Sequence, residues 1–342
     1  MRRRASEGGQ SVRRLDGQIL SFVLWLLAAY PPIRLPAQQV NNSGALFLVF
    51  PVGARAVGMG QTAAALDGRG EAAFWNPAGL ATLEKNEFGL QSATLVAGNT
   101  DAVTAYFPSH RVGVLGGAIY LVDYGDLDRT DATGNTIGRI SPRNLEFVAS
   151  YAAGIAGAVT FGVNYKLVQF VVDCSGDCTN LPSARGTTHA VDVGGQVAAG
   201  PEGALRLGVA VRNIGFKLQV NNGDQADALP ARLLIGALYR IVLPAGRGDG
   251  PGERFDLKVA ADVDSPWGSY GGSQMRVGLD VGYQRLFRVR GGYAFVRDGL
   301  SGPSVGVGVE TGAIGVDLAR SFLAGSDLVV ANPTFFSFRV VF

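Results

Sequence analysis

The sequence predicts an all-β fold: a fourteen-stranded antiparallel transmembrane β-barrel preceded by a small N-terminal hatch segment. Three observations carry this. From about Asn86 onward, apolar residues recur at every second position, the period of a strand with two unlike faces. Most of these segments run 8–13 residues, matching the ~9–11 that a tilted strand needs to cross a membrane. The connections between them alternate between short turns and long polar loops, the asymmetry of outer-membrane barrels.

Composition excludes several function classes. The chain has 342 residues, of which 49 are Gly, 47% are apolar and 17% charged. It is too apolar for disorder. A net charge of +2 is too even for a nucleic-acid partner held by a basic surface. Two Cys and two His cannot build a four-ligand zinc site without carboxylates. No cofactor is expected.

The first element is a leader. Arg2, Arg3, Arg4, Arg13 and Arg14 precede an apolar run from Ile19 to Tyr30, followed by Pro31, Pro32 and, shortly after, Ala37. A run this short does not span a bilayer as a helix. A basic region, a short apolar region and a small residue read as a signal peptide over 1–37, so the mature chain is expected to begin at Gln38. No later stretch reaches 18 consecutive apolar residues, and no transmembrane helix is expected.

The second element is the hatch, 38–85. Gly44–Leu83 lacks the two-residue alternation and is rich in Gly and Ala, which favours short, close-packed helical turns that can fill a lumen. Asn76-Pro77 is expected to mark a fixed turn, because Pro pre-sets φ and Asn bonds its own backbone. Of Phe74 and Trp75, at least one is expected to pack inside the wall. A buried guanidinium needs a partner, so Arg55 is expected to meet an inward carboxylate among Asp192, Asp280 and Asp317.

The barrel follows, 86–342. Its segments lie near 86–96, 100–108, 111–123, 143–153, 158–173, 188–199, 204–214, 231–243, 254–264, 273–285, 287–295, 303–310, 313–320 and 334–342. In one of them Val277, Leu279, Val281 and Tyr283 alternate with Arg276, Gly278, Asp280 and Gly282. The second face is too rich in Gly, Ala and Ser for a solvated sandwich surface, yet it carries Asp192, Arg206, Arg212, Asp280 and Asp317. These are expected to face the lumen, since a basic residue turned to lipid near the midplane costs ~2–4 kcal/mol. In the last segment Phe336, Phe338, Val340 and Phe342 are expected to face lipid. Cys174 and Cys178 fall in an external loop, where exported thiols oxidise, and a disulfide is expected. Asp123, Asp126, Asp128 and Asp131 lack EF-hand spacing and read as a solvated loop rather than a calcium site.

Here the chain resembles a known group. ARAVGMGQTAAALDGRGEAAFWNPAGL, from Ala54 to Leu80, is similar to the N-terminal signature of the PorV/PorQ family, relatives of the FadL-type fatty-acid channels. Tyr124-Gly125-Asp126 leading to Gly134–Gly138, and Val211–Gly215 before Leu229-Pro230, resemble two loops of that family. The motif residues are Arg55, Gly58, Gly60, Trp75, Asn76, Pro77 and Gly79. The resemblance spans nearly the whole mature chain. It implies an outer-membrane barrel of a Gram-negative-type bacterium with an N-terminal hatch. It also implies Phe342 as the terminal aromatic assembly signal read by the barrel-assembly machinery.

The family includes a component of the type IX secretion system, whose partners would be secretion-system proteins or exported cargo, besides outer-membrane lipid. A secretion-associated, non-enzymatic role is therefore the leading expectation, and a FadL-like passive channel for hydrophobic solutes is the alternative. A channel predicts a lateral gap or kinked strand and an apolar pocket beside the hatch. A secretion role predicts a sealed lumen and broad external loops. A catalytic barrel would need a Ser–His pair. Gly302-Pro303-Ser304-Val305-Gly306 matches G-x-S-x-G without the strand-to-helix elbow that motif requires. Gly58-x-Gly60-x-x-Ala63 mimics a dinucleotide fingerprint without its βαβ unit.

Overall fold

The structure, a computed structural model, describes residues 43–179, 184–220, 226–243, 255–267, 271–284, 286–297, 299–323 and 332–342. The leader reading falls outside them.

Alternating inward and outward side chains can satisfy a membrane-embedded backbone only if the sheet closes on itself. It does so here. The strands are β1 (Glu87–Leu95), β2 (Gly98–Ser109), β3 (Gly113–Asp123), β4 (Leu127–Thr130), β5 (Thr136–Ala156), β6 (Val159–Gly176), β7 (Ala184–Ala199), β8 (Leu205–Gly215), β9 (Arg232–Leu243), β10 (Phe255–Pro266), β11 (Gln274–Tyr283), β12 (Phe287–Val296), β13 (Gly302–Glu310), β14 (Ile314–Ser321) and β15 (Thr334–Val341). Each pairs antiparallel with its neighbours. β1 closes onto β15, and β3 pairs directly with β5. The fifteenth strand, β4, lies outside the ring and pairs only with the outer end of β5. Its four residues, one leucine and three polar, leave no alternation to read. The barrel is therefore fourteen-stranded.

Outward positions are apolar around most of the circumference, as in Val209, Ile235, Leu279, Val307 and Phe336, all exposed. This is the exterior of a barrel that sits in an outer membrane. Tight turns such as Ser109–Gly113, together with the barrel's two chain ends, form the periplasmic rim. No helix among the described residues is long and apolar enough to cross a membrane.

Residues 44–83 lie within the ring. They form short 3-10 turns at Leu46–Val49, Gly70–Phe74 and Pro77–Thr82, and one turn of helix, α1 (Ala54–Gly58). Phe47, Ala54, Ala56, Val57, Met59, Ala64 and Leu80 are fully shielded from solvent.

Candidate functional site

The lumen receives the hatch through matched glycines. Register pairs Gly162 with Gly194, Gly208 with Gly236, and Gly278 with Gly292 across adjacent strands. A Cβ on Gly162 would collide with the Pro77 carbonyl and Ala78 nitrogen, and one on Gly208 with the Ala64 carbonyl. One on Gly292 would strike Met59 and Gly60. Each glycine pair is thus a window into which the backbone of one hatch turn presses. Gly60, at φ +67°, also needs the left-handed region that glycine tolerates best. Gly58 packs on Gly306.

Polar side chains of the wall bind the same turns. Asp262 accepts from the backbone N–H groups of Ala63 and Ala64 at 2.6 and 2.8 Å. Ser304 Oγ accepts from Gly60 N–H at 3.0 Å, and Ser337 Oγ from Ala54 N–H at 2.8 Å. Gln196 donates to the carbonyls of Ala64 and Leu66, and Asn164 to that of Ala73. Asn76 caps its own turn, its Oδ1 accepting from Ala78 N–H at 3.1 Å, while its Nδ2 donates to the Ala64 carbonyl. Gly79 fits beneath the Leu66 carbonyl.

Trp75 is 3% exposed. Its indole N–H donates to the Val52 carbonyl, and its ring packs against the guanidinium groups of Arg212 and Arg276, at 5.3 and 5.5 Å from the ring centre. Both arginines, with Arg232, converge on Asp264. Lower in the lumen Asp280 joins Arg288 and Arg290, and Asp317 joins Arg290 and Arg69. Arg69 also meets Glu310. Asp192 pairs with Lys166 at 2.9 Å, and Lys166 with Glu146 at 3.0 Å. Arg206 lies half-buried on the inward face.

Arg55 departs from the expectation. It pairs with Asp67 and stands 4.0 Å from Glu71, both within the hatch, and not with Asp192, Asp280 or Asp317. The hatch folds back on itself, so the local acids reach Arg55, while Asp192 is held by Lys166, Asp280 by Arg288 and Arg290, and Asp317 by Arg290 and Arg69. Burial alone would raise the Asp67 carboxyl, but Lys258 and Arg55 hold it well below the usual range. At Glu71 burial wins over Arg55 and Arg69, and the carboxyl is pushed up.

The Val211–Gly215 motif turns out to be a bulge. Arg212 and Asn213 together oppose Asp192, and Asn213 takes φ 59°. This irregularity turns two consecutive side chains inward. Asn213 accepts from Lys166 and donates to the carbonyls of Leu48 and Pro230.

Across the lumen the wall also carries an apolar patch. Tyr120, Val122, Val148, Val168 and Ala190, from β3, β5, β6 and β7, pack with Phe74 around Phe47 and Leu48 of the hatch. The Phe47 ring stacks on Tyr120 at 6.1 Å. Leu218 and Leu229 of the β8–β9 loop close the pocket from outside. No lateral gap accompanies it: β3 is paired along its full length with β2 and β5, with no register shift.

Outside the lumen, Cys174 and Cys178 are bonded, with Cα atoms 6.1 Å apart. Asp126 and Asp128 pair with Arg139, and Asp123 with Arg143. His189 bonds Tyr165 on the outer face, whereas Ser304 faces the hatch. Phe342 N–H closes the seam on Asn86. Phe335, which the alternation of Phe336 and Phe338 leaves inward, is buried.

No protein-family model matches this sequence, and no curated protein matches it at a significant level. Solved structures do. The Ralstonia pickettii toluene transporter TbuX superposes with a TM-score of 0.55 at 13% identity, over 85% of this chain and 98% of that one. The Pseudomonas putida toluene transporter TodX gives 0.56 at 13% identity, over 85% and 98%. The fold is that of the FadL-type channels. A Pseudomonas aeruginosa FadL homologue fits with a TM-score of 0.51 at 10% identity, over 86% of this chain and 98% of its own. Identities this low establish the FadL-type fold and leave the cargo to be argued from the lumen.

Proposed function

We propose that this chain is a passive outer-membrane channel for hydrophobic small molecules, closed by its own hatch. The observation that carries the reading is the apolar cluster between hatch and wall, in which Phe47 and Leu48 of the hatch are packed. A lumen that only had to be sealed could be filled by the charged network found elsewhere in it. Here the chain instead places an aromatic and an aliphatic side chain against Tyr120 and Val168, where a hydrophobic solute would find the same surroundings. The named neighbours include toluene transporters, and the fold they share supports the choice.

In this reading residues 43–50 are the movable closure. Gly44 N–H bonds the Ala228 carbonyl at 2.9 Å and Asn213 bonds Leu48, and Phe47 and Leu48 add apolar contact. Uptake of radiolabelled toluene, by cells lacking other hydrophobe channels, tests it. Expression of the chain raises uptake, and deletion of residues 43–50 raises it further. Uptake equal to that of cells without the chain overturns the reading.

A secretion-associated role of PorV/PorQ type is the second reading. The unbroken β3 wall favours it, since a holdfast for exported proteins needs no lateral exit. It predicts co-purification with exported protein cargo and no effect on toluene uptake.

A further inference from the structure

We propose that the outer part of the β15–β1–β2 wall, from Ser92 and Thr94 upward, faces the headgroup layer of a locally thinned outer leaflet, and not hydrocarbon, while Phe336, Phe342, Phe88 and Leu90 below it keep to lipid. Each strand residue adds ~2.5 Å of height, from a rise of ~3.3 Å and a tilt near 40°. On β9 the outward residues from Leu233 through Ile235 and Tyr239 to Ile241 are apolar, a band of ~20 Å on that scale. On β1 the outward band is Phe88 and Leu90 only, ~5 Å tall. Above it the outward residues are Ser92 and Thr94, both exposed.

The neighbours continue this polar surface. Ser92 lies between Asp101 of β2 and Phe336 of β15, where the lipid-facing band ends, and Thr94 lies between Asn99 of β2 and Thr334 of β15. The five polar residues are all exposed. Ser92 is the sixth of the nine residues of β1, so the patch takes up the outer part of a low wall. The β1–β2 connection is also short, with Leu95 already paired to Gly98. The opposite rim carries β5, β6 and β7, of 21, 18 and 16 residues, against 8 each in β14 and β15.

Hydroxyl, amide and carboxylate groups lose their hydrogen bonds in hydrocarbon, at a cost of kilocalories each. Thinning a bilayer by a few ångströms costs only fractions of a kilocalorie per ångström. Water and headgroups therefore descend to Ser92 and Thr94. A second copy of the chain fits the patch poorly, because a two-fold contact there would set one Asp101 against another. The membrane around the barrel is then lopsided, full height at β9 and notched at β1.

Site-directed fluorescence tests this. Ser92→Cys, Thr94→Cys and, as the control on β9, Ile235→Cys are labelled with an environment-sensitive thiol dye and reconstituted in phosphatidylcholine vesicles, with the Cys174–Cys178 bridge oxidised. The Ser92 and Thr94 labels are expected to be quenched several-fold more by aqueous iodide than the Ile235 label, and less by lipid brominated at mid-chain. Bromolipid quenching equal to that at Ile235 would mean that hydrocarbon covers the notch. Shielding from both quenchers would mean that protein covers it. Either result overturns the proposal, and the two cysteine positions guard against one variant failing to assemble.

Discussion

On one side of the lumen Asp264 gathers Arg212, Arg232 and Arg276, and a second chain of charges runs through Asp280, Arg290, Asp317 and Arg69. On the other, Tyr120, Val122, Val148 and Val168 form an apolar cluster with Phe47, beside the buried Glu146, Lys166 and Asp192 of the same side of the wall. The hatch divides too, by how its parts are held. Residues 53–80 are pressed into three glycine windows and bonded through Asp262, Ser304, Gln196 and Asn164. Residues 43–50 rest mainly on apolar surface. Directional bonds fix a part in one place, whereas apolar contact can be exchanged for any apolar partner of suitable size. In the proposed channel, which stays plugged yet admits a hydrophobic solute, both are needed, with anchoring falling to residues 53–80 and exchange to residues 43–50.

The largest effect should come from removing both parts at once. Deleting Gly44–Leu83 is expected to open a conducting pore in planar bilayers, because the segment is packed against the inner wall through much of its length. Unchanged conductance in a correctly inserted barrel would show that the block lies elsewhere. Next, Asp264→Ala strands three buried arginines. Breaking buried pairs of this kind costs about 3–5 kcal/mol, seen as a lower temperature for loss of the folded, heat-modifiable band on a gel. If Asp264→Ala melts with the parent protein, the charged side is not the anchor. Phe47→Ala removes a shielded ring from the other side and should raise toluene uptake with the folded band retained. Equal uptake would separate Phe47 from the route.

Much of this was legible in the sequence, and the rest was hidden for identifiable reasons. Period-two alternation is local, so the fourteen barrel strands and the lumen-facing side of Asp192, Arg212, Asp280 and Asp317 could be read directly. Strand β4 was not, because Asp128 and Arg129 sit in a polar loop and pair only with the extension of β5. Partners inside the lumen depend on register, which no local pattern carries. Arg55 was therefore assigned to distant acids when Asp67, twelve residues on, lies within reach. The glycines of the polar face were visible, but that Gly208 stands beside Gly236, and Gly278 beside Gly292, emerges only when the strands are aligned. Asn213 gave one usable signal: an Asn next to Arg212 interrupts the alternation, as a bulge does.

Two smaller effects lie outside the lumen. Phe338→Arg places a charge on the lipid face and should reduce assembled barrel, at ~2–4 kcal/mol for a midplane site; normal yield would displace the assigned face. Cys174 and Cys178 should resist thiol reagents in intact cells until reduced, and labelling of both without reductant would contradict the bond.

The most direct measurement locks the movable part to the outer loop. Ser43 and Ala228 are bridged through their backbones, so the double variant Ser43→Cys, Ala228→Cys can be oxidised to pin residues 43–50 over the pocket. With single-cysteine variants as controls for the native bridge, toluene uptake by cells is measured before and after reduction. The account predicts that oxidation abolishes uptake and that reductant restores it. Uptake by the cross-linked protein at the rate of the reduced one would contradict the claim that Phe47 and Leu48 close the route.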